Sequence, residues 1–204
     1  MRGRLVTFEG IDGSGKTSVS RMVCRRLRGE GVSCVWTCEP TRSWLGRAVN
    51  RGSEERVSAY TEALLFMADR SEHTREIWEH LRRGRNVICD RYLDSTIAYQ
   101  GARLARETGG TGSDAVKWLV EMHRPFALVP DLTILLRAPA HICLSRLRSR
   151  GGLTKFERLA YLRKVAWVYD RLAQKETQRF RVVDARQSME LVVAQSLEHV
   201  HKIL

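Results

Sequence analysis

The chain has 204 residues, 43% of them hydrophobic, and carries a formal net charge of +12. That length fits one compact domain, 1–204, with a sizeable core, since single domains run to about 250 residues. The basic balance points to an anionic partner, either nucleic acid, a membrane surface or a phosphorylated small molecule, and charge alone does not choose among them. Its distribution is uneven: from Arg137 to Lys164 there are eight Lys or Arg and one acid, Glu157. Five cysteines (Cys24, Cys34, Cys38, Cys89, Cys143) show no C-x-x-C pair, which argues against a disulfide framework and a zinc site. No secretory h-region follows Met1, and no stretch approaches the ~20 apolar residues of a membrane span. A soluble, cytoplasmic protein is expected.

In chain order, short apolar runs of strand character fall at Leu5 to Phe8, Val32 to Thr37, Asn86 to Cys89, Leu132 to Leu136 and Phe180 to Val183. Between them helical periodicity predicts Thr17 to Arg28, Val57 to Arg82, Ser113 to His123, Ala140 to Arg148, Phe156 to Glu176 and Ser188 to Ile203. This is βαβ alternation, which predicts an α/β fold with a parallel sheet covered on both faces. The Gly- and Thr-rich stretch Ala105 to Ser113 and the segment Arg150 to Thr154 read as loops.

Gly10-Ile11-Asp12-Gly13-Ser14-Gly15-Lys16-Thr17 satisfies G-x-x-x-x-G-K-[ST] directly after the first strand and at the start of a helix. In that context the glycines let the loop wrap, backbone N–H groups and the helix N-terminus point at nucleotide phosphates, Lys16 reaches the β- and γ-phosphates and Thr17 ligates Mg²⁺. Such a cradle is shared by ATPases, GTPases and small-molecule kinases, so the acceptor has to come from the rest of the chain. The Asn-Lys-x-Asp motif of GTPases is absent. Asp90 ends a strand where a carboxylate faces the hydration shell of Mg²⁺, and Arg91 follows it beside the same ligand-binding edge.

Phe8 to Thr17, then Glu39-Pro40, then Asp90-Arg91-Tyr92, then Ser95-Thr96-Ile97-Ala98-Tyr99-Gln100-Gly101, with Pro130-Asp131-Leu132-Thr133 beyond, resemble the thymidylate kinase family across nearly the whole chain. The style is closest to its archaeal branch. The resemblance implies a P-loop NTPase of the nucleoside monophosphate kinase type, with a parallel five-stranded sheet flanked by helices and a small basic lid at about 146–158. It implies transfer of the γ-phosphoryl group of ATP to dTMP with Mg²⁺, in a homodimer, with no nucleic-acid or membrane partner.

Residue by residue, the resemblance places Phe66 on the thymine ring and Arg70, one turn later on the same helix face, at a thymine carbonyl. Thr96 and Gln100 fall near the base, and Tyr99 packs against the deoxyribose. Asp12 faces the acceptor's sugar and phosphate, Arg91 grips that phosphate, and Asp90 helps organise the metal. The cradle itself, Ile11 to Ser14, holds no arginine, so the lid arginines Arg148 and Arg150 are expected at the transferring group and Arg146 against adenine. Two departures stand out: Cys38 replaces an arginine found in many relatives, with Arg42 nearby, and Thr154-Lys155 replaces an acid-arginine pair. Two rival readings remain: another small-molecule kinase of the same fold, and a nucleic-acid-binding P-loop protein. No recognised nucleic-acid motif supports the second.

Overall fold

A computed structural model describes residues 2–109, 112–147 and 155–204, with the side chains of 155–157 left out of the description. Five parallel strands, β1 (Leu5–Glu9), β2 (Cys34–Cys38), β3 (Asn86–Asp90), β4 (Leu132–Arg137) and β5 (Phe180–Asp184), form one sheet in the order β2-β3-β1-β4-β5. β1 is buried throughout and runs in register with β3 (Leu5 beside Val87) and β4 (Val6 beside Leu132). A strand buried on both faces has no polar side to alternate, which is why Leu5-Val6-Thr7-Phe8 reads as a near-continuous apolar run.

The helices are α1 (Lys16–Gly29), α2 (Trp44–Glu55), α3 (Ala59–Arg82), α4 (Leu93–Thr108), α5 (Gly112–His123), α6 (Ala140–Arg146), α7 (Lys155–Lys175) and α8 (Met189–His201). α1 and α8 pack together on one side of the sheet, while α3 and α7 pack on the other with α4 in contact with both and α5 against α4. Val19, Val23 and Leu27 line the buried face of α1 at helical spacing, and with Phe8, Ile134 and Leu197 they belong to the principal core. Serine side chains start three helices: Ser43 accepts from the amides of Leu45 and Gly46, Ser58 from Thr61 and Ser188 from Leu191.

The five strands sit where the sequence predicts them, each within two residues at either end. Two helices were not foreseen. α2 contains Asn50 and two glycines, Gly46 and Gly52, that propensity disfavours. Both glycines are buried, and a Cβ at either would collide with Thr41 or Leu65, so close docking replaces intrinsic preference. α4 extends through Ala105 to Thr108, correcting the loop expected at Ala105 to Ser113, and α5 resumes at Gly112. α6 ends at Arg146, two residues before the expected boundary, and the loop Arg150 to Thr154 lies outside the described residues.

Candidate active site

The cradle is a backbone object. Gly10, Gly13 and Gly15 all have positive φ, at 140°, 84° and 94°, and a Cβ on Gly13 would overlap the carbonyl of Cys143 on α6. Only glycine fits there, so Gly10, Ile11, Asp12, Gly13, Ser14 and Gly15 wrap tightly into the start of α1. Lys16 is buried, and its Nζ donates to the Ile11 carbonyl at 3.0 Å across the loop. Burial, then the Arg91 charge, pushes its pKa down to about 8. A phosphate at the cradle would replace that weak neutral acceptor with negative charge.

Thr17 at the start of α1 donates its hydroxyl to Asp90 Oδ2 at the end of β3, while Asp90 Oδ1 is buried without a hydrogen-bond partner among the described residues. An orphaned carboxylate oxygen beside a hydroxyl fits the hydration shell of Mg²⁺, a cation normally held by one or two carboxylates plus substrate phosphates. No group of three or more His, Cys, Asp or Glu that would form an all-protein metal cage occurs among the described residues.

At the other side of the loop, Arg91 reaches back to Asp12. Its backbone sits at φ 69°, a left-handed conformation unusual for a bulky residue, and its amide bonds the Phe8 carbonyl at 3.0 Å. That turn aims the guanidinium at Asp12, with Ser95 Oγ at 3.3 Å and the ring of Tyr99 beneath it at 5.2 Å. Burial alone raises the Asp12 carboxyl pKa, but Arg91 and Lys16 outweigh it and hold it below the usual range. The Tyr99 hydroxyl accepts the Asp12 amide at 2.7 Å, so α4 is tied directly to the cradle.

Asp12, Arg91 and Tyr99 open onto a cavity of about 690 Å³ whose wall includes Phe66, Gln100 and Tyr161. Phe66, Arg91, Tyr99, Gln100 and Asp12 are thus brought together as the sequence predicts. Arg70 and Thr96 are not on that wall. Arg70 is fully buried behind it, with its five N–H donors engaged: Nε and Nη2 on Glu39, Nη1 on Thr96 and His123, and Nη2 also on the Tyr92 carbonyl. Glu39 also bonds His73, whose other ring nitrogen meets Thr37. In this arrangement Arg70 ties α3 to β2 and α4 and leaves no N–H for a base, so contact with thymine requires it to exchange a partner.

Several residues went unassigned in the sequence. Glu9, at the end of β1, accepts from the amides of Tyr92 (2.8 Å) and Ser95 (3.3 Å) and from the hydroxyls of Ser95 (2.6 Å) and Tyr169 (2.8 Å). Tyr92 gives α4 no side-chain cap, so a carboxylate from another strand caps the helix. Burial and the nearby charge of Asp94 raise the Glu9 pKa to about 7. Tyr161 lines the cavity and donates to the Tyr99 carbonyl at 2.9 Å. Tyr161 and Tyr169 lie eight apart on α7, a spacing that shares a helix face and was the available signal. Arg103, also on the wall, is held by Glu62 and Glu107. Arg146 Nη1 bonds the Ala185 carbonyl at 3.1 Å, while Arg148 and Arg150 lie outside the described residues.

A phosphate-loop cradle, a hydroxyl-carboxylate pair at its edge and an adjoining cavity at the carboxyl ends of a parallel sheet define a P-loop NTPase of the nucleotide-kinase kind. The family model for thymidylate kinase matches residues 8–196, and the chain belongs to that family. It is 38% identical to a probable thymidylate kinase of Methanosarcina barkeri, over 100% of this chain and 97% of the relative. It is 40% identical to a probable thymidylate kinase of Pyrococcus horikoshii, over 93% of this chain and 92% of the relative. With a thymidylate kinase of Thermomicrobium roseum it shares 41% identity, over 92% of this chain and 89% of the relative.

Proposed function

We propose that this chain transfers the γ-phosphoryl group of ATP to dTMP, giving dTDP and ADP. The observation that carries the reading is the Asp12–Arg91 pair, which joins the nucleotide cradle to a separate cavity bearing Phe66, Tyr99 and Gln100. Phosphoryl transfer asks for positioning and positive charge, with little covalent work by the protein. Gly10 to Thr17 hold the ATP phosphates, with Lys16 on the β- and γ-oxygens. Arg91 holds the acceptor phosphate, aiming one of its oxygens at the γ-phosphorus in line with the departing ADP oxygen. Asp12 orients Arg91 and faces the acceptor sugar. Phe66 stacks on the base, Tyr99 packs against the deoxyribose and Gln100 contacts the base edge, with Thr96 and Arg70 behind them.

Thr17 and Asp90 would hold Mg²⁺ bound with ATP, which would supply positive charge to the phosphates. Charge beyond Lys16 and Arg91 comes from Arg148 and Arg150 in a lid spanning about 146–158 of one domain, and Arg146 lies against adenine. We also propose a cytoplasmic homodimer. α3 turns Tyr60, Leu64 and Trp78 outward on one face, each at least 42% exposed. Among the described residues no helix is long and apolar enough to cross a membrane.

The test is a coupled assay with ATP, Mg²⁺ and a panel of dTMP, dUMP, UMP and free thymidine. Highest kcat/KM for dTMP is expected. A preference for any other acceptor overturns the assignment, and no ATP-dependent turnover with any of them overturns the reaction class.

A further inference from the structure

Cys24, on α1, and Cys34, the first residue of β2, bring their Sγ atoms to 3.2 Å in the interior, and Cys34 Sγ also reaches the Cys24 carbonyl at 3.4 Å. A disulfide bond of about 2.05 Å requires the sulfurs to approach by roughly 1.2 Å. The turn that joins the two elements contains Gly31 at φ 82°. The Arg28 guanidinium lies beside the pair and donates to the Cys34 carbonyl at 2.9 Å. The Cys24 thiol, which hydrogen-bonds Cys34, and then Arg28 outweigh burial and bring the Cys34 thiol down to about 7, while the same bond pushes Cys24 up. The two thiols are thus unequal, Cys34 being the more acidic of the pair.

β2 is an edge strand, and the space beyond it is a groove of about 830 Å³ lined by Cys24, Arg21, Arg25, Arg28 and Trp36. The groove meets the pair at Cys24, which is 2% exposed, and a molecule the size of hydrogen peroxide would enter on that side. We propose that Cys24 and Cys34 are a modification site, an oxidisable dithiol that a peroxide converts to a disulfide tying α1 to β2. The thiolate attacks one peroxide oxygen, the O–O bond breaks, and a sulfenic acid forms with release of water after proton uptake. The second sulfur then attacks the sulfenic sulfur, and its S–O bond breaks to give the disulfide and a second water. Two thiols lose two electrons and two protons, and one peroxide becomes two waters. Cys24 lies two helical turns beyond Lys16, and Cys34 is at the opposite end of β2 from the cradle, so the bond stabilises the fold and leaves the nucleotide site free.

The full chain is treated with hydrogen peroxide, denatured, alkylated and mapped by mass spectrometry, with thermal unfolding and ATP binding measured in parallel. The expected result is one Cys24–Cys34 cross-linked peptide and a Tm rise of roughly 5–10 °C that dithiothreitol reverses. ATP Kd stays within about twofold, and Cys34→Ala shows neither cross-link nor shift. The mapping on the unaltered sequence stands even if that variant folds poorly. Alkylation of both thiols after peroxide, a sulfinic acid at Cys34 in place of the cross-link, a Tm rise that persists in Cys34→Ala, or loss of ATP binding with the cross-link overturns the proposal.

Discussion

The cradle between β1 and α1 takes its shape from backbone, whereas the cavity wall beside it takes its shape from side chains supplied by separate elements. In the cradle three positive-φ glycines and one helix start, contiguous in the chain, set the geometry. On the cavity side Phe66 comes from α3, Tyr99 and Gln100 from α4 and Tyr161 from α7, while behind them Glu39, just after β2, and His123 of α5 hold Arg70 of α3. A contiguous backbone device tolerates little substitution of residue type, so it leaves a readable motif. A wall assembled from distant side chains leaves only fragments, because its partners are chosen by the fold.

The largest effect tests the cradle. Lys16→Ala is expected to lower kcat by at least about 10² to 10³, on the order of 3–4 kcal/mol of barrier, with the folded circular dichroism signal and denaturant midpoint unchanged. Among the described residues the Lys16 ammonium hydrogen-bonds the Ile11 carbonyl of the loop itself, and Lys16 is not a member of the apolar core clusters. An unfolded variant would mean that Lys16 belongs to the structure, which breaks the contrast drawn between the two regions.

Glu39→Ala makes the reciprocal test on the wall. It leaves the Arg70 guanidinium buried without its carboxylate, a change of roughly 3–5 kcal/mol in unfolding free energy. Urea titration is expected to show that loss, while ATP binding measured below the unfolding transition stays near the parent value. Weakened ATP binding with unaltered stability would reverse the assignment of the network to the wall.

This contrast also explains which parts of the molecule were legible. The sheet was readable because its strands are doubly buried apolar runs, and the phosphate loop was readable because its glycines are a steric necessity. α2 and α4 were not, since Gly46, Gly52 and Gly101 argue locally against helix and are accepted through packing that sequence does not display. The spacing of Phe66 and Arg70 correctly put both on one helix. It did not show that Glu39, 31 positions away, would draw Arg70 inward and take two of its donors. The role of Glu9 was hidden for the same reason, its partners lying more than 80 positions on.

Glu9 sits where the two regions join and gives a smaller, pH-dependent effect. Its folded pKa, about 7, lies above the ordinary carboxyl value of 4.5, so between those values the native state binds more protons than the unfolded one. The Glu9 contribution to stability is therefore greatest below about 4.5 and is lost as pH rises through about 7. Glu9→Gln keeps the acceptor for the Tyr92 amide and cannot ionise. Its stability relative to the parent is expected to improve from pH 5 to pH 8, read as the difference in urea midpoint at each pH. A difference that stays flat across that range would show that the parent carboxyl does not titrate there.

The smallest effect separates the two functions that meet in Tyr99. Its hydroxyl ties α4 to the Asp12 amide at 2.7 Å, and its ring lies beneath Arg91 on the cavity wall. Tyr99→Phe removes the tie and keeps the ring, a loss of about 1 kcal/mol, or roughly fivefold in kcat/KM if the tie positions Asp12. Tyr99→Ala removes both and leaves space where a ribose 2′-hydroxyl would otherwise meet the ring. The ratio of kcat/KM for deoxyuridine to uridine monophosphate distinguishes them, because hydroxyl loss acts on both acceptors alike, whereas ring loss relaxes a steric rejection of one. Tyr99→Phe is expected to keep the parent ratio and Tyr99→Ala to lower it. If both variants lower the ratio equally, the hydroxyl, acting through Asp12, reads the sugar. The cradle and the acceptor wall would then share the work of discrimination through a single hydrogen bond.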